Sequence, residues 1–197
     1  MNYFPWEDDE DEDLAHINKI PIEINEDLWK LDEGISCKDW FPDELTFELN
    51  PNYGMKLGDS IPNSLSIKVI SEKLKMLLEE NCNNFEFFPV DIINPKGKKT
   101  RKAYYVANLI GTLHCMDLNK SQYRYSNLDK GQMARISELS LDESKIPKGT
   151  QIFRLGEMTE LLIVADPLAE IISDKNKCTG IFLTYLEDYG LEYRKKH

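Results

Sequence analysis

The feature that most restricts this chain is a pair of apolar runs of β type joined by a turn signal. Phe85-Glu86-Phe87-Phe88-Pro89-Val90-Asp91-Ile92-Ile93 leads through Asn94-Pro95-Lys96-Gly97 to Ala103-Tyr104-Tyr105-Val106-Ala107-Asn108-Leu109-Ile110. Aromatic and β-branched residues suit a pleated, half-buried surface, and Asn, Pro and Gly in close succession reverse a chain. The pattern predicts a β-hairpin. Its second run is apolar nearly throughout, as a strand covered on both faces must be, and Gly111 is placed for a bend before Thr112-Leu113-His114-Cys115-Met116. Leu45-Thr46-Phe47-Glu48-Leu49 alternates with period two, and further short runs follow at Gln151–Leu155, Leu161–Val164 and Ile181–Tyr185. The expected class is α+β, with a largely antiparallel sheet and two amphipathic helices.

The two helices come from stretches that resemble each other. Ile70, Leu74, Leu77 and Leu78 fall at i, i+4, i+7 and i+8, and Val164, Leu168, Ile171 and Ile172 fall at the same intervals. Each set marks one helix face turned to a core. Ser71 is placed to cap the first helix, and Asp166, with Pro167 after it, the second. Each helix leads to an aromatic run, through Cys82 to Phe85 and through Cys178 to Phe182. Duplication of one strand-helix-strand unit and chance likeness of two amphipathic helices both remain open.

The charge is unevenly spread. The 197 residues carry a net −11, yet residues 1–59 hold 17 acids and 4 bases, a charge of −13, and residues 60–197 hold 18 acids and 20 bases, a charge of +2. The chain therefore reads as an acidic, aromatic-containing segment over 1–59, with 1–20 open to disorder, and an α+β domain over 60–197. Nucleic-acid binding runs on Lys and Arg displacing counterions, so an acidic chain disfavours DNA and RNA, and an anionic membrane surface with them. No apolar stretch approaches the roughly 20 residues of a membrane-spanning helix, and the acidic start lacks the basic and apolar regions of a secretory signal. The expected location is the cytoplasm. Cys37, Cys82, Cys115 and Cys178 are scattered without a C-x-x-C pair, which favours reduced thiols over a disulfide frame or a zinc site.

The densest acid is the run Glu7, Asp8, Asp9, Glu10, Asp11, Glu12 and Asp13. Seven adjacent like charges repel one another, so the run reads either as a solvated tail or as a surface for a basic partner, with Tyr3, Phe4 and Trp6 beside it as anchors. Trp29 and Trp40, set among Asp39, Asp43 and Glu44, either dock on the core or extend that surface. The candidate partner-binding residues are thus Trp6, the acids from Glu7 to Asp13, Trp29, Asp39, Trp40, Asp43 and Glu44. The hairpin tip, Lys96 to Lys102, holds five bases in seven residues. No stacking aromatics accompany it, so it reads as a solvated loop or a partner for the chain's own acids.

Catalysis finds no foothold. The chain lacks H-E-x-x-H, G-x-S-x-G, P-loop and Rossmann glycine patterns. His16, His114 and His197 lie far apart, and His114 and Cys115 are neighbours on one strand, whose side chains point to opposite faces. No catalytic residue, metal or cofactor is expected; the chain reads as a binding module.

The succession from Val69-Ile70-Ser71-Glu72-Lys73-Leu74 through Phe85–Val90, Tyr104–Leu109, Cys115-Met116-Asp117, Ile152–Leu155 and Leu162–Asp166 to Thr179-Gly180-Ile181-Phe182 resembles the eleventh catalogued immunity-protein family of bacterial polymorphic toxin systems. The resemblance spans about Ile61 to Leu186 and leaves the first 60 residues outside it. It implies a small cytoplasmic protein that binds and blocks a cognate toxin, protecting the producer cell and its kin, with no catalytic set. The matched positions look like scaffold, with Phe85, Phe87, Tyr105, Phe153 and Phe182 as core and Ser71 and Asp166 as caps. The acidic third then offers carboxylates to a basic toxin surface, such as the phosphate-binding cleft of a nuclease, and steers association. An adaptor or chaperone that holds a secreted effector before export is the alternative; an enzyme that reverses a toxin's modification has no nucleophile or cofactor motif behind it.

Overall fold

The two apolar runs form the hairpin at the centre of one of two main sheets. The computed structural model describes residues 1–126 and 133–190. In chain order its strands are β1 (Tyr3–Asp8), β2 (Thr46–Glu48), β3 (Lys68–Ser71), β4 (Phe85–Ile93), β5 (Tyr104–Leu109), β6 (Thr112–Leu113), β7 (Gln122–Tyr125), β8 (Met133–Glu138), β9 (Ile152–Leu155), β10 (Leu162–Ala165) and β11 (Ile181–Leu183). The helices are α1 (Glu72–Asn81) and α2 (Asp166–Glu170), the second continued by a π turn over Ile171–Lys175. The class is α+β, as expected.

β4 and β5 pair antiparallel, from Phe85 opposite Leu109 to Val90 opposite Tyr104. β3 flanks β5 and β2 runs parallel to β4, giving the order β2-β4-β5-β3. The central place of β5 accounts for its apolar sequence. The second sheet has the order β11-β1-β10-β9-β6 and is antiparallel except where β6 meets β9. β7 and β8 form a separate two-stranded ribbon. Gly111, at φ +87°, makes the expected bend before β6.

The two resembling stretches have the same split topology. β3-α1-β4 leaves a gap that β5 fills, antiparallel to both strands. β10-α2-β11 leaves a gap that β1 fills in the same way. The filling strand is the next one in the first unit and the earliest in the second.

Period-two alternation sorts the side chains of these strands into three clusters. Phe4, Trp6, Ile70, Leu109, Leu162 and Val164 meet Leu74 and Leu78 of α1 and Leu168 and Ile172 of the second helical segment. Burying each such side chain is worth ~1.5–3 kcal/mol. On the opposite face of β10, Ile163 and Ala165 pack with Tyr3, Phe153, Met116 and Ile136. On the opposite face of β3 and β5, Val69, Tyr104 and Val106 pack beneath Ala15, Ile24, Leu31, Cys37 and Phe41. Residues before 60 therefore supply a strand to each main sheet and a covering layer to one of them.

The opening residues pack through contacts distant in sequence. Tyr3, Phe4 and Trp6 are buried in β1, and Leu14 and Ala15 are fully buried after it. The gap between β10 and β11 supplies the backbone partners that no local sequence signal reveals.

Ser71 caps α1 as expected, its Oγ accepting from Leu74 N–H at 3.4 Å. Asp166 does not cap α2: it is the first helical residue, and its carboxylate accepts from the Asn2 side chain at 3.2 Å. Phe182 is not core either. It stands opposite Glu7 on β11 and is 57% exposed, because Trp6 and Leu183, one position along, take the inward face. All four cysteines are free, and burial pushes the Cys37 thiol up to about 11 and that of Cys115 to about 12.

Two buried polar groups fasten the N-terminal layer. The Glu86 carboxylate accepts from Cys37 N–H at 2.8 Å, Ser36 Oγ at 2.5 Å and the Asn108 amide at 3.2 Å. Arg154, 4% exposed, donates to the carbonyls of Leu31 at 2.9 Å, Leu109 at 3.3 Å and Thr159 at 2.5 Å. Burial pushes its pKa down while the nearby Asp32 carboxylate opposes that shift.

Candidate partner-binding site

Seven consecutive acids hold one conformation because neighbours of the opposite kind take up part of their charge. Glu7 accepts a hydrogen bond from the Thr184 hydroxyl. Asp8 accepts from Asn63 N–H at 3.1 Å and lies 3.8 Å from the Lys68 ammonium. Burial pushes the Lys68 ammonium pKa down, and Asp8 holds it against that push. Asp11 pairs with Lys56 at 2.9 Å, which keeps its carboxyl below the usual range.

The backbone is wound to match. Asp9 accepts from Asp11 N–H at 3.2 Å, and Asp11 accepts from Asp13 N–H at 3.0 Å, two successive Asx turns. Leu14 N–H then returns to the Asp11 carbonyl at 3.0 Å. The Asp13 carbonyl takes Lys56 N–H, also at 3.0 Å. Gly54 makes this seating fit: a Cβ there would lie 1.9 Å from the Asp13 carbonyl oxygen. Anchored by buried Trp6 on one side and buried Leu14 on the other, the run presents Glu10, Glu12 and Asp13 to solvent.

Beside these carboxylates stands an aromatic that the sequence reading missed. Tyr53 is 49% exposed, and its ring stacks on His16 at 3.9 Å between centroids with an interplanar angle of 22°. Burial lowers the His16 pKa, so the stack stays uncharged near neutrality. Together with Glu10, Asp11 and Glu12 it lines a shallow cavity of about 530 Å³. Exposed Met55 lies next in sequence to Gly54 and Lys56. Carboxylates around an aromatic face are a receptor for a guanidinium or ammonium group. The only sequence signal was proximity of the acids to His16; the return of residues 50–56 to the run is a long-range backbone event.

The remaining candidates scatter. Trp6, expected as an anchor for a partner, is 3% exposed and belongs to the core, with Lys68 5.9 Å from its ring. Trp40 is half-buried against the N-terminal layer, its ring 5.2 Å from the Lys30 ammonium, which also stands 5.8 Å from Trp29. Trp29 itself is 56% exposed at the mouth of a separate groove. Asp39 is exposed apart from the run. Asp43 and Glu44 line a cleft of about 690 Å³ opposite Lys99, Arg101 and Lys102 of the hairpin tip, where Lys99 pairs with Asp91 at 2.5 Å. The basic tip thus faces the chain's own acids.

Among the described residues no three His, Cys, Asp or Glu side chains come together as a metal-ligand set, and no helix is long and apolar enough to cross a membrane. His197 lies outside the described residues. No curated protein matches the chain. A family model described as Immunity protein family (Imm11) matches residues 8–188, which takes in the acidic run from Asp8 and the N-terminal layer that the resemblance from Ile61 onward left out.

Proposed function

The chain belongs to this immunity protein family, and on that premise we propose that it neutralises a cognate antibacterial toxin by non-covalent association, in the cytoplasm of the cell it protects and without catalysis of its own. The observation that carries the reading is the acidic turn from Asp9 to Asp13, held in one shape beside the exposed ring of Tyr53. A rigid carboxylate cluster with an aromatic at its centre binds basic side chains without first paying the entropy of ordering a tail. The excess of acid in the first 59 residues steers a basic toxin surface toward that cluster, a nuclease cleft being the surface of matching chemistry.

Co-expression with a candidate toxin domain, sought in the gene adjacent to the one for this chain, tests the proposal. Cells making the toxin domain alone should die and cells making both should grow, with the two proteins co-purifying. Survival without a stable complex, or a requirement for export with none for survival, would reject neutralisation by binding; the second result is what an adaptor would give.

A further inference from the structure

A second surface, remote in sequence from the acidic run, has its own chemistry. The groove at Trp29 has a volume of about 570 Å³ and is walled by the N-terminal layer, the segment after β6, the β7–β8 ribbon and the turn after β9. Trp29, Leu118 and Tyr125 stand in it 56, 45 and 48% exposed. Around them are four carboxylates, Asp32, Glu33, Glu157 and Glu160, and one imidazole, His114. Large exposed apolar groups bordered mainly by acids, with the Lys30 ammonium 5.8 Å from the Trp29 ring, are the composition of a recognition surface, not of a solvated face.

One of the carboxylates lacks a donor. Glu157 is 14% exposed by side chain; its Oε1 lies 3.7 Å from His114 Nδ1, and its Oε2 is buried with no hydrogen-bond donor. A buried carboxylate oxygen without a donor is costly, and a cation seated against the same carboxylate lowers that cost through charge attraction. Asp32 is more easily protonated than usual, because burial outweighs the attraction of Arg154. An added positive charge would offset the cost that burial puts on its ionised form.

Resting on the toxin-binding reading above, we propose that this groove seats an arginine side chain of the toxin, its guanidinium on Glu157 and Asp32 and its plane against Trp29. Arginine fits better than lysine: a planar fork donates to two carboxylates at once and stacks on an indole. Leu118 and Tyr125 give apolar cover to the residues flanking it. The groove and the acidic turn are then two separate contacts, the first specifying and the second steering.

The probe is acetyl-Leu-Arg-Leu-amide, titrated into the full chain while the indole N–H of Trp29 is followed by NMR. A saturable shift of that signal is expected, with affinity reduced roughly tenfold or more in Glu157→Gln. A citrulline peptide, equal in shape and uncharged, should leave the signal in place. No shift at Trp29, or equal shifts from both peptides, overturns the proposal. In cells, Trp29→Ala and Glu157→Gln should weaken rescue from the toxin. Full rescue by both variants at matched expression would remove the groove from the toxin interface while leaving neutralisation intact. Failure of the unaltered chain to rescue, with the peptide still shifting Trp29, would instead reject the toxin as occupant. Self-association abolished by Glu157→Gln would assign the groove to a second copy and overturn the proposal as well.

Discussion

The guanidinium of Arg154, on β9, donates to the carbonyl of Leu31 in the N-terminal layer at 2.9 Å, while its other nitrogens hold Leu109 of β5 and Thr159. One buried cation thus joins both main sheets to the acidic layer. Arg154→Met should destabilise the chain by ~3–5 kcal/mol, because three buried carbonyls lose a charged donor at once. Arg154→Lys should recover only part, since a single ammonium cannot span three separated acceptors. Urea unfolding of the three proteins checks both statements.

Trp6 and Trp29 separate fold from surface. Trp6→Ala opens a cavity between the sheets and should cost ~3–5 kcal/mol. Trp29→Ala, on an exposed turn, should change stability by less than about 0.5 kcal/mol and still weaken toxin binding roughly tenfold, as loss of an aromatic anchor does. Thermal unfolding set beside calorimetric titration distinguishes the two; a Trp29 variant that unfolds early would reverse the assignment.

Within the acidic run, Glu10→Gln, Glu12→Gln and Asp13→Asn together remove the outward charges and spare the bonds made by Glu7, Asp8 and Asp11. Association with the toxin should slow about tenfold at low salt and much less at high salt, with dissociation little altered. Stopped-flow rates across a salt series supply the test, and a salt-independent loss would mean that these carboxylates act by direct contact.

Gly54→Ala probes whether the turn must be rigid. The added Cβ meets the Asp13 carbonyl and forces it away, breaking its bond from Lys56 N–H. Hydrogen exchange at Lys56 should accelerate and toxin affinity fall, although every carboxylate remains in the chain. Unchanged affinity would show that the run needs its charge and not its shape.

The pH dependence of stability carries the mark of Asp32. Burial raises its carboxyl from an ordinary value near 3.8 to about 6, against the attraction of Arg154. The folded chain holds that proton more tightly than the unfolded one, so ionising Asp32 costs stability. The cost is absent below about pH 4, grows to about pH 6 and is constant above. Asp32→Asn should therefore be more stable than the parent by on the order of 1 kcal/mol at pH 7 and equal to it near pH 3.5.

What the sequence made legible follows from the range of the interactions involved. The hairpin of β4 and β5 and the buried faces of α1 and α2 depend on spacing within some twenty residues, and Phe85, Leu74 and Leu168 announced them. β1 could not be read in this way. Its pattern is broken by Pro5 and closes on Glu7 and Asp8, and it becomes a strand because β10 and β11 stand ready on either side. The same distance misled the reading of Trp6, whose acidic neighbours suggested a surface while its ring went to the core. At the acidic surface the carboxylates were evident from composition, but Tyr53 was not: what brings it there is the seating of Gly54 and Lys56 against Asp13, a contact between backbones.

The insertion of β1 between β10 and β11 also orders events in time. A ribosome makes residues 3–8 before residues 162–183, which follow more than 150 residues later, so β1 waits unpaired for both of its neighbours. Pairing over such a separation is slow. The acidic turn hangs directly from β1: its own bonds reach no farther than Lys56, but the strand that carries it is seated only when that sheet closes. A growing or truncated chain carries every carboxylate of the run without the sheet that anchors it, so protection should begin with completion of the fold and not with synthesis of the acidic segment.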